Sequence, residues 1–449
     1  MKFPLKRDGI FLGLSSFQAL AMFRRGIFYT FLAVYLRSSL GLSVTETTLF
    51  ETVPMALNVL FQTLVWGRLT DRLQKRRTLI VIGELMASVG HVAMWYFHSI
   101  APDPRAAGYV IIAGLTVIEA FWSMSNIGWS AFISDVYTTE ERNAVQGRFQ
   151  SIGGVGRIVG AMTAGLLYDG IGRAIPGWGY SAGGIFFVSA VVMAASVVPI
   201  LFLPEGGIAF RPGSADGDPA DAELKVAARA DAARDRARAG GKAPGGSLAV
   251  FATFLVAMFL MNSGINTLGA FRGQYLDLAE GFAAPARTIS LVVNVESAAL
   301  IVIGFFVGSL GRRLGIARLL VAGALAGIVS MTLHAVAPSL GLVYLGAVFK
   351  GVSDGCIAAS SYAFASTLIP PEKRGRYFAF YNSTFFLSWG VTATFLTGPL
   401  IDALIRAGEG AVLAYRVGLA SGAALMAAGL AILVALLAFS RRARAAGTD

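Results

Sequence analysis

Twelve apolar runs, each long enough to cross a bilayer and nearly free of charge, constrain this chain more than any motif does. They fall at roughly 10–36, 45–66, 78–97, 107–134, 149–168 and 181–203, then 247–276, 288–310, 317–337, 341–369, 375–400 and 414–439. About 20 consecutive apolar residues make one helical crossing of a hydrocarbon core about 30 Å thick. The expected fold is all-α and integral to the membrane, with twelve transmembrane helices in two sets of six. With 55% apolar and 14% charged residues and a mean hydropathy of +0.66, a soluble globular chain is excluded. The first run is longer than a signal-peptide core and is read as a retained helix.

Between the sets lies Pro204–Gly246, rich in Ala, Arg, Asp and Gly and nearly free of aromatics, which reads as a solvated linker with one short polar helix around 220–238. The expected organisation is a six-helix bundle over 1–203, a cytoplasmic linker over 204–246 and a second six-helix bundle over 247–449. The N-terminal segment, the even-numbered gaps with their flanks and the C-terminus carry 26 of the 37 Lys and Arg, the odd-numbered gaps six. Basic loops stay on the cytoplasmic side, so both termini are expected inside a cell (inner) membrane. The formal charge of +11 therefore reports topology rather than a nucleic-acid partner. Arginine outnumbers lysine thirty to seven, as in chains from GC-rich bacterial genomes.

The two sets repeat each other. The gap between runs two and three, Gly67–Arg77, reads GRLTDRLQKRR, and it returns at Gly308–Arg318 as GSLGRRLGIAR. Tyr35-Leu36 and Tyr275-Leu276 lie 32 and 33 residues before the two glycines. Thr138-Thr139-Glu140-Glu141-Arg142 leading to Gly165-Leu-Leu-Tyr-Asp169 is echoed by Pro370-Pro371-Glu372-Lys373-Arg374 leading to Gly398-Pro-Leu-Ile-Asp402. These echoes carry ordinary helix-start chemistry, a proline or a capping box with an acid in the first turn. The repeat is parallel.

With G-x-L-x-D-R-x-x-x-R-R after the second run, six plus six runs, and Asp135 seven residues before Arg142, the chain resembles the major facilitator superfamily of secondary transporters, bacterial type, over nearly its whole length. The motif falls on Gly67, Asp71, Arg72 and Arg76; Gln74 stands where the family has a second glycine, and the C-terminal copy has Gly315 there with Arg312 in place of the aspartate. The resemblance implies two six-helix halves rocking about a central cavity lined by helices 1, 4, 7 and 10. It also implies a conformational latch at the inner face formed by Gly67, Asp71, Arg72, Arg76, Asp135 and Arg142. Helix 5, with Gly156, Gly160 and Gly165, approaches the family's antiporter signature, but Ala161 replaces its proline and Ala164 a glycine. Small residues four apart also serve close helix packing.

Ionisable groups at mid-bilayer cost about 2.5–3.5 kcal/mol each on insertion scales, so each requires a cavity or a partner. Helical spacing sorts them. On helix 1, Gln18, Met22, Arg25 and Tyr29 share a face, while Arg24 lies with Phe17, Leu20, Phe28 and Phe31. Helix 4 carries a stripe of Thr116, Glu119, Ser123, Asn126 and Ser130 beside Trp122. Helix 7 offers Asn262 and Asn266, and helix 10 Lys350, Asp354 and Ser361. The expected substrate site is Arg25, Glu119, Asn262, Asn266, Lys350 and Asp354, with Lys350 and Asp354 also spaced to pair as i, i+4 neighbours. Further charges are Glu51 with Asn58 and Gln62, Glu84 with Ser88 and His91, Arg157, Arg272 and Glu296. Glu119 and Glu296 are the candidate proton carriers, each equally able to pair with Arg24 or Arg157. Tyr381, Phe385 and Trp389 on helix 11 are candidate cavity aromatics.

The expected function is secondary transport of a small organic solute, proton-coupled, with a polar anion or zwitterion as cargo and a monomer in the lipid bilayer as the working unit. The competing readings are a drug or organic-cation antiporter and a non-transporting receptor or scaffold on the same fold. No enzyme is expected, because no Ser/His/Asp, Cys/His or metal-ligand spacing and no phosphate-binding loop is present. The lone Cys356 and the scattered His91, His98 and His334 argue against a metal site, and no cofactor is expected.

Overall fold

The computed structural model describes residues 7–137, 139–171, 175–176, 178–207, 248–369 and 374–445. Twelve membrane helices follow in order: α1 Arg7–Tyr29, α2 Val44–Phe61, α3 Arg76–Ser99, α4 Pro104–Val136, α5 Thr139–Asp169, α6 Gly184–Leu201, α7 Leu248–Asp277, α8 Ala286–Leu314, α9 Ile316–Val336, α10 Leu340–Leu368, α11 Arg374–Leu387 and α12 Ala411–Ala445. They form two pseudo-symmetric six-helix bundles. Ten are individually long and apolar enough to cross a membrane. The other two are α5, where glycines and serines stand among the aliphatics, and α11, which is interrupted. A two-residue antiparallel ladder, Gly170–Ile171 (β1) with Ile175–Pro176 (β2), closes the α5–α6 connection. Most of the linker, 208–246, lies outside the described residues, as do Ser247, Thr138 and 370–373.

The structure redraws the basic gap. Gly67–Leu73 is helical and prolongs α2 through a π turn at Gln62–Trp66, so the reversal into α3 is confined to Gln74 and Lys75. Gln74 closes that helix with φ 52°, the left-handed conformation glycine adopts without cost, and Gly315 closes α8 at the equivalent place with φ 86°. The family's second glycine is thus a backbone requirement that Gln74 meets at some strain. α11 likewise stops at Leu387 and resumes through a π turn, Ala393–Thr397, and a short helix, Gly398–Arg406.

Within the N-terminal bundle α1 packs on α5 and α6, and α3 on α4 and α6. α5 carries glycines where α1 comes close: a side chain on Gly156 or Gly160 would strike the carbonyls of Ala19 and Phe23, and one on Gly26 would strike the backbone of α5. Helix–helix packing therefore accounts for these glycines. The bundles meet along α5–α8 and α2–α11. By chain direction both termini lie at one end of the molecule, the terminal end, and the α1–α2, α7–α8 and α11–α12 connections lie at the other, the far end.

Candidate functional site

At the far end the halves are bonded to each other. The Asp402 carboxylate, past the end of α11, accepts from the backbone N–H groups of Val44 and Thr45 at 2.9 and 2.8 Å and from the Thr45 hydroxyl at 2.6 Å. It therefore caps α2 from across the interface, beside that helix's own capping box of Ser43 and Glu46. Below it, Thr394 Oγ1 lies 2.7 Å from Thr48 Oγ1 and 2.6 Å from Thr52 Oγ1, and Gln274 donates to Thr47 at 3.0 Å. On the other seam Ser290 of α8 donates to the Ala161 carbonyl of α5 at 2.8 Å. Among the described residues these cross-bundle bonds tie together the far end of the cleft between the bundles.

The charged residues gather at mid-height in two groups. In the first, Glu119 is 2% exposed and each of its oxygens accepts one neutral donor at 3.0 Å, Tyr29 Oη on Oε1 and Asn58 Nδ2 on Oε2. Gln62 in turn donates to Asn58 Oδ1 at 2.6 Å. Arg25 is half-buried, its guanidinium 5.7 Å from the Trp122 ring and 5.0 Å from that of Trp389, so a side chain of α1 is held between an aromatic of its own half and one of the other. Arg24, its neighbour in sequence, points into the bundle: it is 1% exposed, also 5.7 Å from Trp122, and lies in the field of Glu84, whose Oε1 accepts from Ser125 at 2.7 Å. Helical spacing sends Arg24 and Arg25 to different faces, as the sequence implies.

The second group crosses the interface. Glu296 of α8 has Arg272 Nη1 2.7 Å from Oε2 and Arg157 Nη2 of α5 3.4 Å from Oε1. Lys350 Nζ donates to Asp354 at 2.6 Å, the i, i+4 pair expected on α10, and its charge also acts on Glu296. Asn266 donates to Ser388 Oγ at 3.1 Å, while Asn262 is buried on the same helix. Of the expected site residues, the structure brings Lys350 and Asp354 together on α10, and Arg25 and Glu119 together on the other side. Glu119 pairs with neither Arg24 nor Arg157; Glu296 pairs with Arg157. The sequence offers Arg272 only as a further charge and gives no sign that it faces Glu296; its spacing of six and ten residues from Asn266 and Asn262 carries no helical signal for that.

At the terminal end, Arg76 Nε lies 3.0 Å from Asp135 Oδ2, both buried, and Arg76 also donates to the Thr70 carbonyl at 2.5 Å and to Gln74 Oε1 at 3.1 Å. The first linker residues close the cluster: Gly207 N–H donates to Asp135 at 3.0 Å, Glu205 accepts from the backbone of Arg76 and Arg77, and its side chain meets Arg77 at 3.2 Å. Arg72 is exposed, and the side chains of Asp71 and Arg142 lie outside the described residues. The Arg76–Asp135 pair lies within one half rather than between halves.

The sequence profile of the Major Facilitator Superfamily matches residues 14–393 and, overlapping, 273–448, and the chain belongs to that superfamily. A curated relative, the major facilitator superfamily multidrug transporter mfsC of Aspergillus fumigatus, is 31% identical over 107 residues, 23% of this chain and 20% of that protein. The match thus spans about a fifth of the relative's length. Among solved structures the chain is similar to the nucleoside transporter NupG (TM-score 0.67, 16% identity, 94% of this chain and 98% of that one). It is also similar to a bacterial homologue of the human lysosomal transporter Spinster in an inward-facing, unoccupied conformation (0.64, 15%, 98% and 97%) and to the peptide transporter POT in complex with sulfate (0.66, 16%, 98% and 96%). At such identities the likeness is one of fold. The protein is a multi-pass membrane protein with the architecture of a transporter.

Proposed function

We propose that the protein is a secondary transporter that carries a small organic solute with an anionic group, a polar anion or a zwitterion, by alternating access and together with a proton. The observation that supports this cargo is the division of charge at mid-height. Arg25 and Arg157 are part-exposed between the halves, whereas Glu119 and Glu296 are buried behind them with their oxygens bonded. An anion entering the cleft meets guanidinium groups first. Asn262, Asn266, Lys350 and Asp354 complete the site from the other half, and Glu119 and Glu296 can hold a proton inside the bundles. Residues 1–203 and 247–449 rock as two bodies joined by 204–246. The terminal end, with its basic turns, faces the cytoplasm of a cell whose inner membrane holds the protein.

A drug or organic-cation exporter is the second reading, favoured by the multidrug transporter among the relatives and by the buried Glu119 carboxylate. One experiment separates the two. Purified protein is screened by thermal shift against carboxylates, phosphate esters, amino acids, sugars and lipophilic cations, beside Arg25→Gln and Glu119→Gln; a binder raises the melting temperature by mass action. The anion reading requires stabilisation by an anionic compound that vanishes in Arg25→Gln. Stabilisation by lipophilic cations that depends on Glu119 defeats it in favour of the exporter.

A further inference from the structure

We propose that Glu51 is the carboxylate that takes the coupling proton from the central cleft, and that Arg25 serves as counter-charge either to ionised Glu51 or to the anionic group of the cargo. This rests on the transporter reading above.

Four observations lead to it. Glu51 lies on the face of α2 that carries Thr47, Asn58 and Gln62, since residues 47, 51, 58 and 62 fall within about 60° of one another on a helix. At its far-end part that face meets the other half, where Thr47 accepts from Gln274 of α7, and further along it turns to α4, where Asn58 donates to Glu119. Glu51 is half-buried, and among the described residues it forms no hydrogen bond and no ion pair. Every other carboxylate at mid-height is engaged: Glu84 by Ser125, Glu119 by Tyr29 and Asn58, Glu296 by Arg272 and Arg157, and Asp354 by Lys350. The titratable groups around the site are Arg24, Arg25 and Tyr29 on α1, Glu119 on α4 and Arg157 on α5, and of these only Arg25 acts on Glu51. α7 and α11 turn neutral groups toward this level, Gln274, Asn266 and Trp389.

A carboxylate at mid-bilayer with no donor has two ways to avoid the cost of a bare charge, a cation or a proton. Among the described residues Arg25, held between Trp122 and Trp389, is the cation whose charge acts on Glu51. If the cargo's anionic group claims Arg25, ionised Glu51 loses its counter-charge and protonates. Anion and proton then bind with positive coupling, which is what symport requires of a site. The one bond made is the O–H of the carboxyl, whose proton is delivered by hydronium from the solution on the open side, leaving water.

The test is a pH titration of the purified protein in lipid nanodiscs by infrared difference spectroscopy, reading the C=O stretch of protonated carboxyl groups, with no ligand added. A carboxyl band titrating between about pH 5 and about pH 8, the interval open to a buried carboxyl, is expected in the wild type. It is lost in Glu51→Gln, shifted in frequency in Glu51→Asp, and retained in Glu119→Gln and Glu296→Gln. Arg25→Gln moves its midpoint. A band that persists in Glu51→Gln, or a wild type without a titrating band, overturns the assignment, and a midpoint unmoved in Arg25→Gln removes Arg25 from it. A folded Glu51→Asp protein guards against loss through misfolding. A ligand screen that returns only cations would sink the cargo reading while leaving the Glu51 band to be judged on its own.

Discussion

The polar bonds at the two ends of the cleft differ in what they join. At the far end Asp402 of one half caps α2 of the other, and Thr394 reaches Thr48 and Thr52 across the same seam. At the terminal end the bonds of Arg76, Asp135, Glu205 and Gly207 stay within the N-terminal half and the first residues of the linker that leaves it. A bond that crosses the seam must break when the halves part there, whereas one inside a half survives any rocking motion. Under the rocking motion proposed above, the far-end bonds are the ones to be released and the terminal cluster the one to be kept. Among the described residues the C-terminal half shows no counterpart to that cluster: by the repeat register Ala317 and Thr367 stand where Arg76 and Asp135 stand, and Arg312, Arg313 and Arg318 are exposed.

The strongest ways to break this comparison strike bonds that must be kept. Arg76→Ala takes from the buried Asp135 carboxylate the guanidinium nitrogen 3.0 Å away, and breaking a buried pair costs about 3–5 kcal/mol. A large drop in melting temperature is expected. The C-terminal change Arg312→Ala, at an exposed side chain, should leave the melting temperature almost unmoved. Similar losses for the two would show that the turns are equivalent after all. Gly160→Val drives a side chain into the Phe23 carbonyl, and because both partners are backbone neither can yield; about 3 kcal/mol or more is expected. Poor recovery of monodisperse protein in size-exclusion chromatography would agree. Unchanged recovery would show that α1 and α5 can separate.

How much of this was legible in the sequence follows from which interactions are periodic. The twelve crossings and the parallel repeat were visible because apolar length and echoed motifs are one-dimensional signals. The Lys350–Asp354 pair was visible because i, i+4 spacing places the groups together whatever surrounds them. Arg25 and Arg24 could be separated by face for the same reason. The Arg272–Glu296 and Asp402–Thr45 contacts join residues far apart in sequence, and no spacing rule predicts them. Glu51 was noticed as one charge among several; its distinction is the lack of a donor, which exists only once every neighbour has a place. The interruption of α11 after Leu387 was hidden in an apolar run, although Trp389-Gly390 marks it in hindsight, with Gly390 packed against Thr52.

Asp402→Ala strikes a bond that must be released. Removing an N-cap costs about 0.5–2 kcal/mol, here charged against far-end closure rather than against folding. The expected result is a far-end population shifted toward opening with the melting temperature little altered. Distances between spin labels on Ser99→Cys and Leu413→Cys, both at the far end, should lengthen. Unchanged distances with a lowered melting temperature would make Asp402 a structural cap like any other and erase the contrast between the ends.

The smallest effect concerns Gln74. Its φ of 52° strains a side-chain-bearing residue, and glycine would relieve that strain while loosening the unfolded chain and losing the bond to Arg76 Nη2. These terms oppose one another and each is near 1 kcal/mol, so Gln74→Gly should change the melting temperature only slightly, equivalent to less than about 1 kcal/mol. The double variant carrying Arg76→Lys separates them. If Gln74 is kept for its bond, Gln74→Gly destabilises the wild type but not the Arg76→Lys protein, because a lysine cannot hold Asp135, the Thr70 carbonyl and Gln74 at once. If the backbone strain dominates, Gln74→Gly stabilises both. The first outcome places Gln74 in the cluster that holds one half together; the second makes it an imperfect substitute for the glycine its C-terminal counterpart retains.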